Sequence, residues 1–363
     1  MQRRKFLRTA GVATVATAVA APAIAQSMPE LKWRLTSSFP KSLDTLYGGA
    51  ENFAKKLAAI TDNKFQVRVF APGEVVPALQ ALDAVQNNTV EMCHTASYYF
   101  VGKDLTFGFD AGVPFGLTAR QQHAWMVHGG GRELMREFMA DYNAVSLPCG
   151  NTGVQMGGWF RKEIKTLDDM KGLKMRIPGI GGQVWAKLGA VPQQIAGGEI
   201  YPSLERGAID GAEWVGPYDD EKLGFFKVAP FYYYPGFWEA GTQVSLIVGK
   251  QHWDALPAGY KAAVEAVAHD INGEMMARYD SQNPAALRRV IAAGAQLRPY
   301  PRDVLVAAWK ATHELYDEIS GRNAKFKKVY DQWKAFRDEQ YLWYRVAELT
   351  YENFAFTAAQ TAR

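Results

Sequence analysis

Thr166-Leu167-Asp168-Asp169-Met170-Lys171-Gly172-Leu173-Lys174-Met175-Arg176-Ile177-Pro178 is the stretch on which the fold reading turns. Its first half reads as a short capped helical turn that ends at Gly172. Leu173 to Ile177 then alternates apolar and basic residues, the period of a half-covered strand. Pro178, Gly179, Gly181 and Gly182 predict a loop that stops it. Arg176 therefore stands at the carboxyl end of a strand, where open α/β sheets form their ligand crevices. A guanidinium offers a planar fork of donors that matches a carboxylate in bidentate fashion. A solvated surface arginine fits this stretch as well. The sharper expectation is that Arg176 holds the carboxylate of a small organic acid.

The same rhythm extends outward. Leu31–Leu35 and Phe65–Phe70 alternate as strands. Between them Ser42 and Asp44 are placed to cap a helix whose stripe includes Leu46, Phe53, Leu57 and Ile60. A second helix carries Leu79, Leu82 and Val85. Strand-helix-strand-helix order argues an α/β sheet. Leu82–Thr95 and Leu204–Trp214 echo each other as helix, turn residue and short strand, which predicts two related lobes. His94-Thr95 and Glu213-Trp214 would then face one cleft from equivalent strand ends. The glycine-rich run Asn151–Gly158 reads as a crossing between lobes, with Gln155 close to the cleft. Thr242–Val248 reads as a strand crossing back. Phe231–Glu239 is the densest aromatic run, and core packing accounts for part of it. From Arg322 to Arg363 there is no Gly or Pro. A helix there of about 35 residues would be roughly 50 Å long, which outreaches a single lobe. Apolar surface at its far end calls for a partner, and a homodimer is expected, with a kinked helix wrapped on its own chain as the alternative.

The 363 residues are too many for one compact core and suit two lobes, with a hydrophobic fraction of 48% for burial. Arg3-Arg4-Lys5-Phe6-Leu7-Arg8, the small apolar run Ala10–Ala21 and Ala23-Ile24-Ala25 read as a cleavable export signal. The arginine pair points to the twin-arginine route, and an ordinary secretory signal is the alternative. Cleavage near Ala25 removes four cations and no acid, so the formal +4 falls to zero. Nothing then argues for nucleic acid. A periplasmic protein is expected. Cys93 and Cys149 are expected as buried thiols, with a bridge as the alternative in an oxidising compartment.

No catalytic constellation stands out. There is no Gly-x-Ser-x-Gly elbow, phosphate loop or His-Glu-x-x-His helix, and the six histidines are scattered. Carboxylates gather near the proposed cleft, with Glu213 at a strand end and Glu239 after the aromatic run. Two acids would repel a bound carboxylate, and a hard cation between them would reverse that sign. Na⁺ or Ca²⁺ takes oxygen ligands, which Gln155, Glu213, the Trp214 carbonyl and Glu239 could offer. Acids at strand ends that face solvent are the plainer reading. Asp219-Asp220-Glu221 reads as a helix start that favours negative charge.

Three motifs carry a resemblance over essentially the whole chain after the signal. They are Val67-Arg68-Val69-Phe70-Ala71-Pro72-Gly73-Glu74-Val75-Val76-Pro77, Leu167–Arg176, and Glu199-Ile200-Tyr201-Pro202-Ser203-Leu204-Glu205-Arg206-Gly207-Ala208-Ile209-Asp210. The chain resembles the solute-binding proteins of tripartite ATP-independent periplasmic (TRAP) transporters. Asn151–Phe160 and Glu213–Lys222 look like the 2-oxoacid-binding branch. The resemblance implies a two-lobe, type II-like periplasmic-binding-protein fold with crossing strands, and no enzyme activity. It implies a small 2-oxo monocarboxylate such as pyruvate, bound through Arg176 and a bridging cation, Na⁺ or alternatively Ca²⁺. The expected ligand-binding set is Arg176, Gln155, Tyr99 and Asn151, and the expected metal set is Gln155, Glu213, Trp214 and Glu239. Membrane subunits of the transporter and a second copy of the chain are the implied partners. The expected division is 1–25 signal, 26–152 with about 242–285 as lobe I, and 153–241 with about 286–320 as lobe II. Residues 322–358 would form the dimerisation helix. A lactate or other 2-hydroxy acid binder with Ca²⁺, and an exported hydrolase or lyase using Glu213 or Glu239 as base, remain as alternatives.

Overall fold

The structure, a computed structural model, describes residues 28–361. The export signal and its cleavage point lie outside the described residues. Two sheets organise the chain. The first has the order β2-β1-β3-β10-β4, from β1 (Leu31–Ser37), β2 (Phe65–Phe70), β3 (Met92–Thr95), β4 (Ala144–Asn151) and β10 (Gln243–Gly249). The second has the order β11-β9-β5-β8-β6-β7. Its strands are β5 (Trp159–Phe160), β6 (Lys174–Arg176), β7 (Val191–Gln193), β8 (Gly211–Ala212), β9 (Phe231–Tyr234) and β11 (Gln296–Pro299). In the first sheet β1 is parallel to β2 and β3, and β10 inserts antiparallel between β3 and β4. The chain thus leaves the first lobe after β4 and returns to its middle as β10. Every residue of β10 is buried, the polar Gln243 and Ser245 included, as befits a central strand covered on both faces.

The crossings are tied to each other. Thr152 N–H donates to the Thr242 carbonyl at 3.0 Å, and Thr242 N–H donates to Thr152 Oγ1 at 3.0 Å. A third connection is the 35-residue helix Ala258–Ala292, which starts against the first sheet and delivers the chain to β11 of the second. Its early residues Val264, Val267 and Ile271 close a core cluster with Trp33, Phe53 and Leu246 on one face of the first sheet.

Two local expectations are corrected. Gly179, Gly181 and Gly182 do not form a loop: Pro178 stands before a helix, Gly179–Lys187. The glycines are there for close approach, since a Cβ on Gly181 would sit 2.8 Å from the Trp238 Cβ. Asp44 and Ser42 do not cap the first helix, which runs Leu46–Ile60 with no side-chain cap at Thr45. Asp44 instead accepts from Tyr218 Oη at 2.9 Å and pairs with Lys222 and Arg278.

The final helix spans Ala324–Thr361. Phe326, Val329, Tyr330 and Trp333 bury its first half, each worth about 1.5–3 kcal/mol of apolar transfer. Its second half is held to the body where Arg120 meets Tyr344 and Glu348, while Leu342, Trp343, Val346, Tyr351, Phe354 and Phe356 are exposed. Cys93 and Cys149 are free, buried thiols. No helix among the described residues is long and apolar enough to cross a membrane.

Candidate functional site

Strand β6 is parallel to β7 and β8, which sets Arg176 opposite Gln193 and Ala212. Glu213 follows β8 directly, and its N–H donates to the Arg176 carbonyl at 3.2 Å. Gly211 is what lets β8 lie flat under Phe160, whose ring atom would be 2.4 Å from a Cβ there. The strand ends thus bring Arg176, Glu213 and Trp214 to one point.

Arg176 is 1% exposed. Its Nε donates to the Ile195 carbonyl at 3.0 Å, and Nη1 donates to the Glu213 carbonyl at 2.9 Å and to the Glu213 carboxylate. The Trp214 ring lies 5.1 Å from the guanidinium carbon. Burial opposes the charge on Arg176, and Glu213 holds it in place, so its pKa stays raised. Two polar atoms in this knot have no partner: Arg176 Nη2 and Glu213 Oε2. A buried, unpaired donor on a guanidinium is costly unless something fills it.

Gln155, from the first crossing, meets Glu239 and the Trp214 carbonyl here. Its amide is held by Thr152 Oγ1 at 3.0 Å and Thr242 Oγ1 at 2.7 Å. The other end of the amide is 3.1 Å from Glu239 Oε1 and 3.0 Å from the Trp214 carbonyl oxygen. Which end is nitrogen follows from the partners. With NH₂ turned to those two oxygens the amide donates to both, and its oxygen accepts from the two threonines. With its oxygen turned inward, three oxygens converge, an arrangement that suits a hard cation. Glu239 is 3% exposed and accepts from Thr242 Oγ1. Burial, added to the neighbouring Glu239 charge, holds Glu213 well above the ordinary carboxylate range despite Arg176. Burial pushes Glu239 up to about 7.

Arg176 and Trp214 border a tight cleft between the lobes with about 10 Å³ of open space, room for about one water. Arg176, Trp214, Tyr98, Tyr99, Thr152 and Thr242 give it polar atoms, while Phe39, Leu46, Val215 and Val244 give it apolar wall. Tyr99 stands on the short 3₁₀ turn Ser97–Phe100, fixed by Gln194 Nε2 donating to its carbonyl at 2.8 Å. Burial pushes the Tyr99 hydroxyl up to about 12, so it stays a neutral donor.

The structure therefore gathers Arg176, Tyr99, Gln155, Glu213, Trp214 and Glu239. Asn151 is buried on the first crossing, with Oδ1 accepting from Gly153 N–H at 2.9 Å. His94 does not face the cleft as a counterpart of Glu213. It is buried in the first lobe, its Nε2 is 2.9 Å from the Cys149 carbonyl, and burial lowers its pKa to about 4. Thr152 and Thr242 were not singled out as site residues by sequence. A lone threonine beside a glycine carries no periodic signal.

The DctP family, described as bacterial extracellular solute-binding protein, family 7, matches residues 36–323. This chain belongs to that family. It is 49% identical over 361 residues to the monocarboxylate 2-oxoacid-binding periplasmic protein of Nostoc sp., covering 98% of this chain and 99% of the other. Among solved structures, a TRAP transporter solute-binding protein of Bordetella bronchiseptica is 50% identical with a TM-score of 0.91. That match covers 92% of this chain and all of the other, a mixed-occupancy dimer with a calcium- and picolinate-bound active site and an apo site. A second, from Pseudoalteromonas atlantica, holds sodium and pyruvate, at 37% identity and a TM-score of 0.87 over 89% of this chain and 99% of that one. The TRAP solute-binding protein is a periplasmic transport component, not an enzyme, and works with membrane subunits on small organic acids. The hydrolase or lyase reading is thereby set aside.

Proposed function

We propose that this protein binds a small 2-oxo monocarboxylate of pyruvate type between its lobes, through Arg176 and a bridging Na⁺ or Ca²⁺. The observation that carries the reading is the pairing of unmet needs within one buried ion pair. Arg176 Nη2 is a donor without an acceptor, and Glu213 Oε2 is an acceptor without a donor. A carboxylate satisfies the first and a cation the second. Gln155 Oε1, Glu213, the Trp214 carbonyl and Glu239 would hold the cation, and it would supply positive charge opposite the guanidinium. The donor set is all oxygen, which fits a hard ion. The sodium with pyruvate in one relative and the calcium with picolinate in another support either ion. Tyr99 would orient the ligand as a neutral donor. The small cavity favours a short chain, and lactate is the nearest competitor.

Closure follows from ligand touching both lobes only when they are shut. We take the hinge to be the hydrogen-bonded pair Thr152 and Thr242. A thermal-shift screen tests the ligand: 2-oxo and 2-hydroxy acids, each with Na⁺, Ca²⁺ or neither. Pyruvate with a cation should raise the melting temperature most. A larger shift for lactate would overturn the 2-oxo assignment.

A pH dependence is also expected. Glu213 and Glu239 have raised pKa values without a cation, so they hold a proton that the cation must displace. Cation-dependent binding should strengthen as pH rises through about 7 and weaken below it. Calorimetry in two buffers of different ionisation enthalpy should show proton release. A binding constant flat between about pH 5.5 and 8 would contradict the shared shell.

We also propose that the exposed end of the final helix packs on a second copy. Leu342, Trp343, Val346, Tyr351, Phe354 and Phe356 present apolar surface with nothing over it in one chain. The dimer reported for the Bordetella bronchiseptica relative agrees. Truncation after Tyr341 keeps Phe326, Tyr330 and Trp333 buried, and should convert dimer to monomer by light scattering with a nearly unchanged fold. A full-length chain that is monomeric at micromolar concentration would exclude the dimer.

A further inference from the structure

Two acids beside the site have no place in the shell above. Asp219 and Asp220 open the helix Pro217–Leu223, yet both are fully buried rather than solvated at a helix start. Asp220 serves its own lobe, accepting from Trp159 Nε1 at 2.9 Å and Tyr232 Oη at 2.7 Å. Asp219 reaches across. Its Oδ1 accepts from Thr45 Oγ1 at 2.9 Å, and its Oδ2 accepts from Tyr279 Oη at 2.7 Å and Trp214 Nε1 at 3.4 Å. Thr45 belongs to the first lobe, at the start of helix Leu46–Ile60, and Tyr279 to the connecting helix Ala258–Ala292. The Thr45 and Tyr279 hydroxyls are themselves 2.8 Å apart. One carboxylate therefore collects a donor from each of three parts of the molecule.

We propose that Asp219 is a positioning residue that couples lobe closure to the cleft through Trp214. This rests on the reading that ligand occupies that cleft. Trp214 touches both halves of the site: its ring lies over Arg176, and its carbonyl faces Gln155. Asp219 holds the indole N–H and completes its donors only when Thr45 arrives from the other lobe. The shut state is thus favoured by two linked sets of contacts, ligand with cation in front of Trp214 and the Thr45–Asp219 bond behind it. The neighbouring Asp44, Lys222 and Arg278 cluster also spans the lobes. It is partly exposed, with Asp44 at 43%, so solvent screens it and the buried bond dominates.

The test uses the full chain and the isosteric variants Thr45→Val and Tyr279→Phe. Spin labels at Lys55→Cys and Glu205→Cys report lobe separation, since both positions are exposed, one on each lobe, and the native thiols are buried. Without ligand, both variants should shift the distance distribution to longer values while keeping the wild-type circular dichroism. With pyruvate and Na⁺ or Ca²⁺, each should release ligand about tenfold faster, the worth of one hydrogen bond to a buried carboxylate. A purely structural role would lower the melting temperature and leave separation and release rate alone, which overturns the proposal. So would distributions that superimpose on wild type. If the wild type binds none of the acids, the reading of the ligand fails, and the distance shift alone decides the role of Asp219. Should Thr45→Val not fold, Tyr279→Phe decides it.

Discussion

Arg176→Ala should reduce pyruvate affinity by about a hundred- to a thousandfold or more in calorimetry, from loss of a buried charged partner worth about 3–5 kcal/mol. The guanidinium is 1% exposed, so no water takes over its role. The variant also strips Glu213 of its only side-chain cation among the described residues. Glu213 would then stand beside Glu239 with nothing to offset either charge, and the pair would hold its proton more tightly. Arg176→Lys separates the two effects. It restores a charge near Glu213 but not the planar fork, and lysine cannot bond Ile195, Glu213 and a ligand oxygen in the fixed directions Arg176 uses. Lysine should therefore recover much of the melting temperature and little of the affinity. Alanine affinity within tenfold of wild type would end the role assigned to Arg176.

Removing cations should cost nearly as much. In chelator-treated protein dialysed into choline chloride, pyruvate affinity should fall at least about a hundredfold, because the ligand carboxylate then faces two buried acids with only Arg176 to offset them. Adding Na⁺ or Ca²⁺ back should restore it, and the ion effective at lower concentration is the resident one. Glu239→Gln should mimic the loss in part, since it keeps an oxygen donor and removes a charge. Affinity indifferent to chelation and to choline would exclude the bridge.

The site was legible in the sequence where period and punctuation agree. Arg176 ends a short strand before Pro178, and Glu213-Trp214 ends another, so both could be placed at a sheet's carboxyl edge before any contact was known. The long final helix was legible because no residue in it breaks a helix. What sequence hides is packing across the lobes. Gly179–Gly182 reads as a loop by composition, and only the Trp238 and Tyr98 side chains pressed against it explain why a helix needs glycine there. Asp44 has the residue type of a helix cap, and a tyrosine, a lysine and an arginine from distant segments claim it instead. Asn151 has the chemistry of a ligand contact but spends its oxygen on the turn at Gly153. Thr152 and Thr242 lie 90 residues apart and are recognisable as a pair only once folded.

The side-chain amide of Gln155 has a consequence for delivery. A cage of fixed oxygens would repel itself when vacated, and so would resist giving up its ion. Here a half-turn about one bond swaps an oxygen for two hydrogens, and the two threonine hydroxyls turn with it, Thr242 away from Glu239 and Thr152 away from the Gly153 carbonyl. The empty cage is thereby left at ease. Were the cation held as proposed, a carrier built like this could discharge its cargo at the membrane with little penalty for returning unloaded.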